Sequence, residues 1–268
     1  MNRLAPPVEF KRNAKVGICL LIIALLSACR GLAGLAQGGN PALTISTASN
    51  LIPAFEEIGE RFEDETNIVI EFNFGASGQL ADQIIQGAPV DVFASADAAY
   101  IDELLEEDLL VESSITEFAR GRIVLWAAEG SNLELDELQD LSQLSVETLV
   151  LANPAYAPFG KAAREALESA EMWDVLADKA VYGSYVSQAL HMAEAGSVDA
   201  AIVALSLVLG SDGDWILIPE TQHQPIRQVM AVVRGTDHIE EAEAFIEYVQ
   251  GEVGQEILRR FGYEAVSP

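Results

Sequence analysis

The sequence predicts an α/β fold in two lobes, each a mainly parallel sheet flanked by helices, with a ligand cleft between them. Three observations carry this. From Leu43 onward, apolar runs of strand length alternate with amphipathic stretches of helix length, the pattern of parallel sheets covered by crossover helices. That order runs once before residue 121 and again after it, and a further strand and two helices close the chain.

In the first series, Leu43–Ala48 reads as a strand. Leu51–Phe62 reads as a helix, with Ile52, Phe55, Ile58 and Phe62 at helical spacing. Ile68–Phe74 alternates as a strand, Gln79–Gln86 is a short helix, Val90–Ala94 a buried strand and Ala98–Leu110 a helix. After Arg120-Gly121 the second series runs through strands Arg122–Ala127 and Thr148–Asn153, helix Phe159–Ser169, strand Ala180–Tyr182, helix Val186–Ala195, and strands Ala200–Ala204 and Trp215–Pro219. Strand Gln228–Arg234 and helices Ile239–Gln250 and Glu252–Phe261 complete it. Two crossings, near residues 121 and 224, divide the body into lobe 1 (43–121 plus 224–268) and lobe 2 (122–223). Ligands of open α/β sheets sit at the carboxyl ends of strands, so the strand-to-helix turns of both lobes are expected to face the cleft.

Charge and cysteine content narrow the function. A net charge of −27 over 268 residues argues against nucleic acid and anionic membrane surfaces, which are held by clustered Lys and Arg. Both cysteines, Cys19 and Cys29, fall in the first thirty residues, so the folded body has no disulfide or thiol chemistry.

Residues 1–28 read as a signal peptide: Arg3, Lys11, Arg12 and Lys15 precede an apolar run from Val16 to Ala28, too short for a spanning helix. The run ends Leu26-Ser27-Ala28-Cys29, which resembles the lipobox of bacterial lipoproteins and implies lipidation of Cys29 in the cell envelope or periplasm. Ordinary cleavage after Gly34-Leu35-Ala36 is the alternative. Loss of residues 1–28 removes four basic residues and one acid, taking the net charge from −27 to −30. Residues 29–42, rich in Gly, Ala and Leu, read as a tether.

Four turns are candidates for chemistry. Ala48-Ser49-Asn50, Gly75-Ala76-Ser77-Gly78, Ala157-Pro158-Phe159-Gly160 and Ser184-Tyr185-Val186-Ser187 each precede or open a helix. Each puts small or hydroxyl-bearing residues where backbone N–H groups lack partners. Taken singly, such turns are caps. Four converging on one cleft make a site for an anion without formal positive charge.

From about Leu43 to Gly262 the chain resembles the periplasmic molybdate-binding protein family, the substrate-binding component of an ABC importer with the type II periplasmic binding protein fold. The resemblance rests on Ala48-Ser49-Asn50-Leu51, Phe74-Gly75-Ala76-Ser77-Gly78-Gln79-Leu80, the long run from Gly87-Ala88-Pro89 to Ser95-Ala96-Asp97, and Asn153-Pro154 with Ala157-Pro158-Phe159-Gly160. It implies that Ser49 or Asn50 and Ser77, with Gly78 beside it, bind molybdate or tungstate from lobe 1, while the backbone amides of Phe159 and Val186 donate from lobe 2. It also implies a monomer that delivers its ligand to a membrane permease and needs no cofactor. Two positions depart from the family pattern. Asn50 stands where many members have serine, and Ala204 replaces a tyrosine that some contribute, with Ser206 as the candidate substitute.

Other readings rank below this one. Sulfate or phosphate would use the same donors. A ferric-ion site would draw on Tyr156, Tyr182 and Tyr185, and a hydrolase would need a histidine beside a cleft serine, whereas His191, His223 and His238 have no catalytic motif around them. Asp91 reads as a structural hydrogen-bonding residue and Asp97 as a helix-start acid.

Overall fold

The computed structural model describes residues 42–129, 131, 136–142, 146–196 and 198–266. The signal peptide, Cys29 and all of the tether but Ala42 lie outside the described residues.

The first sheet has the order β2-β1-β3-β10-β4. Its strands are β1 (Ala42–Ala48), β2 (Val69–Gly75), β3 (Val92–Ser95), β4 (Thr116–Gly121) and β10 (Ile226–Val232). The second has the order β7-β6-β8-β5-β9, from β5 (Ile123–Ala128), β6 (Leu149–Ala152), β7 (Ala180–Gly183), β8 (Ala200–Ala204) and β9 (Gly213–Leu217). In each sheet four strands run one way and one runs against them, β10 in the first and β5 in the second. These two are the first strands after each passage of the chain between sheets. The outgoing crossing is the single residue Arg122, and the return spans 218–225.

Helices fill the connections: α1 (Ile52–Thr66), α2 (Ser77–Ile85) and α3 (Ala98–Glu106) with the first sheet, α4 (Pro158–Ser169), α5 (Trp173–Leu176), α6 (Val186–Glu194) and α7 (Leu205–Val208) with the second. The chain ends with α8 (Ile239–Gln250) and α9 (Glu252–Arg260).

Period-two alternation splits the central strands of the first sheet between two cores. Val92, Ala94, Met230 and Val232 face α1 and α8, whereas Phe93, Val229 and Ala231 face α2 and α3 with Leu80, Ile84 and Leu104. On the α1 side Phe55 stands at the centre of an aromatic group, 5.8 Å from Phe118 and 5.9 Å edge-on from Phe245. Truncating a ring so placed removes about 3–5 kcal/mol. In the second sheet β6 and β8 are buried throughout, as strands covered on both faces must be.

Several elements differ from the sequence reading, among them α5 and α7, which it lacked, and α1, which runs on to Thr66. Strand β4 lies in the polar run after Ser114, where no apolar alternation announces it. It is held by β10 on one side, and Arg120 pairs with Glu264 of the chain end. Helix α3 stops four residues short of Leu110 because Asp108 takes φ 57°, which a helix cannot continue. The strand expected at Trp215–Pro219 runs from Gly213, which pairs with Ala128, to Leu217, which pairs with Val124.

Candidate functional site

Each of the four turns sits at the carboxyl end of a strand. After β1, Ser49–Leu51 make one 3-10 turn before α1, and Ser49 and Asn50 are each 1% exposed. After β2, α2 starts at Ser77, which is fully buried. After β6, an Asx turn in which Asn153 accepts the N–H of Ala155 leads to α4, with Pro158 in its first position. After β7, α6 starts at Val186.

The four turns meet around one small pocket, lined by Ser49, Asn50, Ser77, Phe159, Tyr185 and Val186 among others. No Lys, Arg, His, Asp or Glu lines it among the described residues. Its donors are neutral. In α4, Pro158 has no N–H and Gly160 donates to the Ala157 carbonyl, which leaves the Phe159 amide as the free donor of that first turn. At α6, Ser187 N–H is taken by Ser49 Oγ at 3.3 Å, and the Val186 amide at the helix start stands beside it facing the pocket. Ser77 Oγ accepts the N–H of Ala96 at 3.0 Å, an arrangement that leaves its own proton to give.

Close packing holds these turns in place. A Cβ on Gly160 would lie 2.1 Å from the Ala152 carbonyl oxygen, so the start of α4 presses directly onto the end of β6. A Cβ on Gly121 would meet the Phe159 ring at 2.9 Å, so the last residue of β4, next to the crossing, packs directly on the pocket aromatic.

Three expectations need correction. The Asn50 side chain is not a free donor. Its Nδ2 donates to Gln228 Oε1 and to Tyr263 Oη, each at 2.9 Å, and its Oδ1 is buried without a partner. Gly78 does not line the pocket. Its N–H donates to the Tyr156 carbonyl at 3.0 Å, tying the two lobes together. Ser206 does not stand in for the absent tyrosine, because its proton goes to the Asn50 carbonyl at 2.8 Å. Gln228 and Tyr263 had no signal in the sequence, lying 178 and 213 residues from Asn50.

The residues of the lower-ranked readings do not assemble. Tyr185 lines the pocket, but Tyr156 accepts from Asn153 Nδ2 and Tyr182 is exposed on the edge strand β7. His191 is exposed, His223 Nδ1 lies 2.8 Å from the Gln224 carbonyl, and His238 pairs with Asp91. Asp91 also accepts from the Thr44 amide and the Thr236 hydroxyl, the structural role expected of it. Asp97 caps α3 by accepting from Ala99 N–H and faces Lys161 of the second lobe at 3.6 Å.

Two mixed sheets of this order, with helix N-termini of both converging on a small uncharged pocket, define a two-lobed solute-binding protein. The chain belongs to the bacterial extracellular solute-binding protein family, whose model matches residues 43–264. Its relatives there include the molybdate-binding protein ModA of Rhodobacter capsulatus, 31% identical over 95% of this chain and 98% of that one. The putative ABC transporter substrate-binding lipoprotein YvgL of Bacillus subtilis is 33% identical over 83% of this chain and 86% of that one. Among solved structures, the periplasmic molybdate-binding protein of Azotobacter vinelandii superposes with a TM-score of 0.79 at 27% identity, covering 84% of this chain and 99% of that one.

Proposed function

We propose that this protein captures molybdate or tungstate outside the cytoplasm and hands it to the permease of an ABC importer. The observation that carries this reading is the pocket itself, where hydroxyls and helix-start amides from both lobes converge with no charged side chain among the described residues. A fully ionised tetrahedral dianion presents acceptors alone, so each of these donors matches it. Preorganised amides at helix N-termini favour the negative charge without a counter-ion. The relatives' names point to the same ligand.

Within this reading the protein binds rather than transforms its ligand, acts as a monomer, needs no cofactor and does not bind nucleic acid. It is anchored in the envelope by lipid on Cys29. Among the described residues no helix is long and apolar enough to cross a membrane. Replacing Cys29 by serine then releases or misprocesses the protein. A wild-type mature N-terminus at Gln37 would overturn the lipid anchor while leaving export intact.

The deciding experiment titrates the purified mature protein with molybdate, tungstate, sulfate and phosphate, read by the fluorescence of Trp126, Trp173 and Trp215. The expected order near pH 7 is tungstate equal to molybdate, then sulfate, then phosphate. Sulfate is smaller and stretches the hydrogen bonds, and the proton on phosphate needs an acceptor, a mismatch worth roughly 1–3 kcal/mol. Phosphate binding tighter than molybdate would overturn the reading and direct attention to the unpartnered Asn50 Oδ1.

A further inference from the structure

The chain end reaches the binding turn from the far side. Tyr263 follows the last helix and is 4% exposed, with its hydroxyl in contact with three groups. It accepts from Asn50 Nδ2 at 2.9 Å, donates to the Asn50 carbonyl at 2.7 Å and lies 3.2 Å from Ser206 Oγ. Ser206, from α7 of the second lobe, donates to the same carbonyl at 2.8 Å. One carbonyl, with two lone pairs, therefore takes one proton from the chain end of lobe 1 and one from lobe 2.

The anchor of this chain end is the crossing itself. Glu264 pairs by backbone with Arg120 in both directions and its carboxylate lies 2.6 Å from Arg122, the single residue between β4 and β5. A movement of the lobes about Arg122 is thus tied to the residue next to Tyr263.

We infer that Tyr263 is a positioning residue that aims the Asn50 carbonyl at Ser206, forming a latch that holds the lobes closed over the ligand without touching it. Neither Tyr263 nor Ser206 lines the pocket. The latch rests on the proposed binding of an oxyanion in that pocket and adds a control on its release. An interlobe bond that exists in the closed state alone shifts the equilibrium toward closure, and a loss of closure shows as faster release rather than slower capture. Burial raises the Tyr263 hydroxyl above the ordinary tyrosine range, so it stays protonated and able to donate at all physiological pH values.

The test is a double-mutant cycle with Tyr263→Phe and Ser206→Ala, read by molybdate release in stopped flow. Each single change is expected to raise the release rate about 5- to 20-fold, and the double variant is expected to be little worse than the worse single, because both act on one carbonyl. Multiplicative effects, or wild-type release in Tyr263→Phe, would overturn the latch. Should Tyr263→Phe fail to fold, Ser206→Ala alone decides, since a serine outside the pocket with no effect on release sinks the idea. Hydrogen exchange at residues 49–51 in the ligand-free protein gives a second reading: faster exchange in Tyr263→Phe supports the positioning role, and unchanged exchange contradicts it. If wild type binds none of the four oxyanions, the proposed function fails while the exchange measurement still decides the role of Tyr263.

Discussion

Ser77 does two things with one oxygen. Its Oγ accepts the Ala96 amide at 3.0 Å and its proton remains for the ligand, so Ser77→Ala is expected to affect both binding and folding. Loss of a donor to a charged acceptor weakens molybdate by roughly 1.5–3 kcal/mol, and orphaning the buried Ala96 N–H lowers stability by roughly 1–3 kcal/mol. Calorimetric titration and thermal melting of one variant check both, and wild-type affinity would remove Ser77 from the site. Gly78 acts differently. A methyl group there would stand 2.8 Å from Tyr100 Oη and 2.9 Å from Tyr156 Cβ, where the two lobes meet. Gly78→Ala is expected to wedge the lobes apart. If the closed population falls tenfold, the apparent Kd rises about tenfold with the ligand groups unaltered. Titration of this variant showing unchanged affinity would mean that closure at Gly78 does not matter to binding.

At the scale of elements, the start of α4 is set by one glycine. Gly160→Ala pushes a methyl group against the Ala152 carbonyl, and the shift of backbone needed to relieve it is expected to destabilise the protein by about 1–3 kcal/mol. It also moves the Phe159 amide, so affinity falls with stability. Urea unfolding beside a molybdate titration tests the pair of effects, and a stable variant with weak binding would place the strain in the site alone. Helices α1 and α9 are joined by charge: Glu57 meets Arg260 at 2.6 Å and Arg61 at 3.2 Å. The hydrogen bond from Arg260, then the neighbouring charges, hold its carboxyl below the ordinary value. A carboxyl with a depressed folded pKa contributes stability above its unfolded pKa and loses it as pH falls through the folded value. Glu57→Gln is therefore expected to flatten part of the acid limb of the stability curve, modestly because the pair is near the surface. An acid limb identical to wild type would assign no role to this pair.

At the scale of the molecule, charge and site pull in opposite directions. The body without its leader carries a net charge of −30, yet the pocket is built for an anion from neutral groups. Long-range repulsion slows the approach of a dianion and salt screens it, so the association rate is expected to rise with ionic strength as the Debye length falls from about 30 Å at 0.01 M to about 8 Å at 0.15 M. Release, governed by short hydrogen bonds, is expected to change little. Stopped-flow rates at the two salt concentrations test this, and slower association at higher salt would point to a positive funnel at the pocket mouth. Contacts from both lobes further predict a smaller radius in small-angle scattering at saturating ligand, and an unchanged profile would count against closure.

The sequence by itself determined the alternation of strands and helices, the repeat of that order in two series, and the four turns at which helix starts offer donors. These are local properties, written in periodicities of two and 3.6 and in the residues that stop them. It could not reveal β4, whose polar strand is held by β10 and by the chain end, nor the distribution of protons within the site. Asn50, Gly78 and Ser206 each have a group able to donate, and composition alone leaves all three available to a ligand. The tertiary structure decided otherwise. Gln228 and Tyr263 take the Asn50 donor, the Tyr156 carbonyl takes that of Gly78 and the Asn50 carbonyl takes that of Ser206, each from a distant part of the chain, because a buried polar group pairs with whatever the packing brings within reach. Donor type is a property of a residue, whereas a donor's freedom is a property of its surroundings.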